Sequence, residues 1–265
     1  MMYKLLARSL SGGYSGRPIL NNVSFEALPG QVTSLIGANG CGKSTLLKTL
    51  ARVLEPNGGQ VLINDQNITS FTARNLAKQL SYLPQSPLAP EGMTVEQLVA
   101  QGRYPHRGII GRLSKDDKAA ISRALNATHL TQLRTMPVSQ LSGGQRQRAW
   151  IAMTLAQESP IMLLDEPTTY LDLKVQVDIM SVLREVAKEQ QRAVIVVLHD
   201  LNLAAAFSDK LVMMKAGRLC YSGTPKEVFT VDALAEVFGL DTHVSFDPVA
   251  GHPVCLPNVK QSVNL

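Results

Sequence analysis

Three short stretches of the chain carry aliphatic and β-branched residues with almost no polar interruption: 32–36, 161–165 and 193–198. Runs this short, lacking the alternation of a half-exposed strand, predict strands buried on both faces. Each leads into a segment whose apolar residues recur at helical spacing, beginning near Thr45, Leu173 and Leu201. Shorter strands are expected at 60–64 and 81–85, and helices at 72–80, 143–157 and 231–238. A hairpin is expected over 210–222. The first thirty residues read as short strands with turns at Ser11-Gly12-Gly13 and Leu28-Pro29-Gly30, and the last as an irregular tail. From 94 to about 135 the pattern is helical and more polar, broken at Gly102-Arg103-Tyr104-Pro105-His106-Arg107-Gly108. Strand–helix alternation on either side of a helical insertion, approximately 86–158, predicts an α/β domain with a parallel sheet and an inserted helical lobe. No internal repeat is visible.

Between the first buried strand and its helix lies Gly37-Ala38-Asn39-Gly40-Cys41-Gly42-Lys43-Ser44, which fits G-x-x-x-x-G-K-[ST]. Glycines let backbone N–H groups turn onto phosphate oxygens, and the helix start at Thr45 adds its partial positive charge. Lys43 is expected to reach the β- and γ-phosphates and the Ser44 hydroxyl to hold Mg²⁺. Cys41 is one of the pattern's variable letters. Beside Lys43 and a helix N-terminus its thiol is expected to be acidic and nucleotide-protected, unless it faces the interior as an inert small residue.

Composition changes this picture little. The 265 residues, 45% hydrophobic and 18% charged, are ordinary for a globular chain with a sizeable core. No apolar run reaches the roughly 20 residues of a membrane span, and the N-terminus lacks a secretory pattern. The cysteines Cys41, Cys220 and Cys255 have no metal-ligand spacing, which predicts a reducing, cytosolic compartment. A net charge of +5 suits anionic partners, but no basic block points to nucleic acid.

A second signal, Leu141-Ser142-Gly143-Gly144-Gln145, opens a helix with a good N-cap and two glycines. With the phosphate loop it resembles the ATP-binding subunit of ATP-binding-cassette (ABC) transporters, whose signature motif it matches letter for letter. The first loop is similar to their Walker A motif, and Ile161-Met162-Leu163-Leu164-Asp165-Glu166 to Walker B with its glutamate. The resemblance implies a RecA-like P-loop NTPase core, an antiparallel β subdomain and a helical subdomain carrying the signature. It implies that Asp165 holds Mg²⁺ and that Glu166 is the general base. It places Gln85 as the Q-loop glutamine near Mg²⁺ and the γ-phosphate, His199 as the switch histidine and Asp172 as the D-loop aspartate. Tyr14 falls where the family has an aromatic against adenine, and Tyr170 is bulkier than the usual residue before Leu171-Asp172.

The resemblance covers nearly the whole chain. It is strongest to the ATPases of iron–siderophore, haem and cobalamin importers, the ferric-enterobactin type in particular. Gly102-Arg103-Tyr104-Pro105-His106, residues 146–153, Leu198-His199-Asp200-Leu201-Asn202 and Asp247-Pro248-Val249-Ala250-Gly251 carry it. It implies two copies sandwiching ATP between the phosphate loop of one and Ser142-Gly143-Gly144-Gln145 of the other, on transmembrane permease subunits. It also implies a position on the cytoplasmic face of the inner membrane and, indirectly, a periplasmic siderophore-binding protein. Arg103 and Arg107 are expected to line the groove that receives a permease helix. A soluble cassette of a cofactor-assembly complex is the alternative. DNA-repair and translation cassettes are disfavoured because long heptad helices and a second cassette are missing.

Overall fold

The computed structural model describes residues 4–14, 17–107 and 112–258. Strands β1 (Leu5–Tyr14) and β2 (Arg17–Ala27) pair antiparallel. β3 (Val32–Gly37) leads into helix α1 (Lys43–Leu50). Next come β4 (Gly58–Ile63), the two-residue β5 (Gln66–Asn67), α2 (Ala73–Gln79) and β6 (Leu80–Leu83). Helices α3 (Val95–Gln101), α4 (Lys115–Ala127) and α5 (Gly143–Ala156) follow and pack on one another. The core resumes with β7 (Ile161–Asp165), α6 (Leu173–Glu189), β8 (Ala193–Val197) and α7 (Leu201–Phe207). Last are β9 (Lys210–Lys215), β10 (Arg218–Gly223), α8 (Pro225–Val228), α9 (Val231–Phe238), β11 (Thr242–Phe246) and β12 (Pro253–Pro257).

The central sheet has the order β10-β9-β3-β8-β7-β6, parallel except for the antiparallel edge strand β10. Its apolar runs divide between two layers by strict alternation. Ile36, Met162, Leu164, Val194 and Val196 face the helical side, whereas Leu35, Ile161, Leu163, Ile195 and Val197 face α1 and the antiparallel sheet β2-β1-β4-β5. Burial on both faces is why these strands read as continuous apolar runs. All parallel strands point the same way, so the segments after β3, β7 and β8 emerge at one edge.

Two expectations need correction. Ser11-Gly12-Gly13 is not a turn: β1 runs through it with register shifts, and a side chain on Gly13 would meet the Arg17 carbonyl at 2.1 Å. The tail is not irregular either. β11 and β12 form an antiparallel hairpin whose turn is held by Asp247 Oδ1, which accepts from the Val249 and Ala250 amides at 2.9 and 2.6 Å. The Asn202 side chain clamps this hairpin to α7, donating to the Cys255 carbonyl at 3.2 Å and accepting from its amide at 2.7 Å. Among the described residues no helix is long and apolar enough to cross a membrane.

Candidate active site

The loop between β3 and α1 is shaped by contacts that exclude side chains. Gly37 has φ 155°, and a Cβ there would meet the Met214 carbonyl oxygen at 2.3 Å and Cys41 Sγ at 2.7 Å. Gly42, at φ 109°, precedes α1 and caps it with no side chain. In contrast, α2 to α7 and α9 each have a side-chain cap, from Thr72, Thr94, Ser114, Ser142, Asp172, Asp200 and Thr230. The first N–H groups of α1 are thus left for an anion, at the positive end of the helix dipole. Ile19, Asn39, Gly40, Gly42, Lys43, Ser44, Thr45 and Glu166 line the cleft of about 190 Å³ above them. Lys43 is buried, its Nζ donating to the Gly37 and Ala38 carbonyls at 2.7 and 3.2 Å.

The edge of the sheet then brings residues from four distant segments together. Ser44 Oγ donates to Asp165 Oδ1 at 2.9 Å. Burial pushes the Asp165 carboxyl up, and the neighbouring Glu166 charge adds to this, while the Ser44 bond and the two lysines Lys48 and Lys43 oppose it. Glu166, in the left-handed region at φ 53°, accepts from Gln85 Nε2 at 2.6 Å and Thr169 Oγ1 at 3.2 Å. His199 Nε2 lies 2.6 Å from its other oxygen. A backbone outlier held by three side-chain contacts is the kind of strain that clusters at functional sites. Oxygen donors from Ser44 and Asp165 fit a hard cation such as Mg²⁺, and the uncapped helix start fits a phosphate.

Other expected residues lie elsewhere. Ser142, Gly143, Gly144 and Gln145 do not line the cleft. Ser142 and Gln145 cap each other, with Gln145 N to Ser142 Oγ at 3.3 Å and Ser142 N to Gln145 Oε1 at 3.0 Å. Gly143 opens on free space, whereas a Cβ on Gly144 would touch Val175 Cγ1 at 3.0 Å. Asp172 accepts from the Val175 amide at 3.0 Å, so the signature and the start of α6 abut. Tyr170 is 99% exposed. Tyr14 is 47% exposed and accepts from Lys48 Nζ at 3.2 Å, with that ammonium 5.7 Å from its ring centroid.

Two expectations fail here. Cys41 Sγ faces the apolar layer with Leu46, Leu47 and Met214, and only 6% of the residue is exposed. Burial pushes its thiol up, outweighing the Lys43 charge, so the inert reading replaces the acidic one. Arg103 does not line a surface groove: it is 5% exposed and bonds Asp117 Oδ1 at 2.8 Å, Glu158 Oε2 at 2.7 Å and the Ala156 carbonyl at 2.8 Å. Arg107 is half-buried and bonds the Ala100 carbonyl, while Gly108 lies outside the described residues. Thr169, Ile19 and Lys48 join the site without having been expected. Only the hydroxyl three residues after Glu166 left a signal in the sequence.

A sequence model of the family described as ABC transporter matches residues 20–169. A probable siderophore transport system ATP-binding protein of Bacillus subtilis is 47% identical over 97% of this chain and 94% of its own. The ferric enterobactin transport ATP-binding protein of Escherichia coli is 42% identical over 96% and 94%. Among solved structures, a metal-chelate type ABC transporter in an inward-facing conformation superposes with a TM-score of 0.84, at 27% identity over 98% of both chains.

Proposed function

The chain belongs to the ABC transporter family, and on that premise we propose that it is the ATP-hydrolysing subunit of an importer driving ferric-siderophore uptake. The observation that carries the hydrolytic reading is the convergence of Gln85, Thr169 and His199 on Glu166, beside the uncapped start of α1. The loop amides and Lys43 bind the phosphates of ATP. Ser44 and Asp165 hold Mg²⁺, whose charge, when it is bound, neutralises that of the β- and γ-phosphates. Glu166 takes a proton from the water that attacks the γ-phosphorus. The bond to the β-phosphate oxygen breaks, leaving ADP and inorganic phosphate. His199 and Gln85 orient Glu166 and the water, and Tyr14 offers a ring face to the adenine.

Because the cleft lacks Ser142 to Gln145, a second copy completes it with its own signature. Asp172 and the exposed Tyr170 belong to that contact. Residues 86–158 act as the helical subdomain of a single ABC ATPase domain, moving the signature relative to the phosphate loop. The permease surface is better assigned to Leu88, 91% exposed, and Tyr104, 74% exposed, than to Arg103. The complex sits on the cytoplasmic face of the inner membrane and is fed by a periplasmic siderophore-binding protein. These readings rest on the names of the relatives and on the absence of spanning helices among the described residues. Reconstitution with the co-purified permease tests them. Vesicles loaded with Mg-ATP should take up a ⁵⁵Fe-siderophore, and Glu166→Gln should stop it. Hydrolysis with no recoverable membrane partner would overturn the import reading.

A further inference from the structure

The end of the sheet opposite the phosphate loop carries a second constellation. Lys78 and Gln79 precede β6, Glu158 and Pro160 precede β7, and Gln190 to Arg192 precede β8. These strands are parallel neighbours, so all three approaches meet at their N-terminal edge. Two clefts of about 330 and 450 Å³ adjoin there and share Glu158, Gln190 and Arg192 in their walls. The first extends along α4 to Arg123, the second to Lys78 and Gln79.

Arg192 is 7% exposed, yet its side chain makes only long contacts, from Nη1 to the Leu155 carbonyl at 3.4 Å and to Met162 Sδ at 3.7 Å. Glu158 is committed elsewhere, to Arg103 and Arg123 at 2.7 Å each. Among the described residues no carboxylate lies within 4.0 Å of Arg192 or Lys78. Burial lowers the Arg192 pKa to about 10, only partly offset by the Glu158 charge. A largely buried guanidinium with no carboxylate in contact is costly. That cost falls if a ligand supplies an oxyanion.

We propose that the two clefts form one binding site for a small oxyanion-bearing metabolite, its oxyanion held by Arg192 and Lys78. A guanidinium fork suits carboxylate and phosphate alike. The site lies at the opposite end of the strands from Ser44 and Asp165, so its ligand does not compete with ATP. It also spans α4, the end of α5 and the central sheet, and thus ties the helical insertion to the core.

The test is calorimetric titration of the full chain, saturated with Mg-ADP to fill the phosphate loop. L-malate and citrate probe the carboxylate source, and sn-glycerol 3-phosphate the phosphate source, with uncharged glycerol as the control lacking an oxyanion. At least one anionic probe should bind at millimolar or lower concentration and more tightly than glycerol. Its affinity should fall about tenfold in Arg192→Gln and several-fold in Lys78→Ala. Should Arg192→Gln fail to fold, the half-exposed Lys78 decides alone. No binding of any probe at about 10 mM, or equal affinity in the variants that fold, overturns the proposal.

Discussion

His199 Nε2 stands 2.6 Å from Glu166 Oε1, so the residues that follow two neighbouring parallel strands meet head to head. With Gln85 and Thr169 on the other oxygen, the Glu166 carboxylate is held at both ends. Glu166→Gln keeps the shape and removes the proposed base. Steady-state hydrolysis should fall by at least ~100-fold while ATP affinity stays within a few-fold. Turnover close to wild type would take the base role from Glu166.

If a partner's signature completes the site, as proposed, binding and turnover separate. Ser142→Arg, on an exposed helix cap remote from the Lys43 cleft, should leave ATP binding to the single chain intact and abolish hydrolysis. Fluorescent-nucleotide binding and phosphate release measured on one preparation check this. Normal hydrolysis per chain would contradict a shared site.

Arg103 is a structural anchor, and its replacement should be felt in stability. Burial favours the neutral Asp117 carboxyl, yet hydrogen bonds from Arg103 and Ser114 outweigh it and hold the pKa at about 2. Arg103→Met leaves Asp117 charged and buried, a loss of about 3–5 kcal/mol in urea unfolding. Because the folded pKa lies below the unfolded value near 4, the Asp117 contribution is complete above pH 4 and fades as pH falls toward 2. The stability gap between wild type and Asp117→Asn should narrow over the same interval. A gap independent of pH would show that Asp117 is not held ionised by Arg103.

Cys41 should be slow to react. Maleimide should label the half-buried Cys220 first, and the Cys41 rate should be low with or without Mg-ATP. Cys41→Ala should retain hydrolysis. Rapid labelling of Cys41 that ATP suppresses would restore the acidic thiol.

The buried strands and the phosphate loop were readable because their determinants are local. Two-sided burial forces unbroken apolar runs at Ile161–Asp165 and Ala193–Val197, and a glycine loop must lie where the backbone turns on itself. What escaped was set by distant partners. Arg103 looked like part of a polar surface loop because Asp117 and Glu158, which bury it, are 14 and 55 residues away. The tail looked irregular because β11 and β12 depend on each other and on Asn202, 53 residues from Cys255. Cys41 was undetermined because the motif fixes the loop's glycines and lysine but not which way a variable side chain points. Ser142 to Gln145 were recognised from their letters, yet no spacing along the chain reveals that they stand apart from its own phosphate cleft.

The pairing of Asn202 with Cys255 sets where this chain tolerates cutting. By bonding both the carbonyl and the amide of one strand residue, Asn202 behaves like a third strand, and it stands three residues beyond His199. Ending the chain at Gly251 would remove β12, bare the apolar flank of α7 and leave the Asn202 side chain unmatched, three residues from His199. Such a deletion would act on catalysis from the far end of the sequence. An affinity tag fused past Pro257, in contrast, would leave the clamp whole.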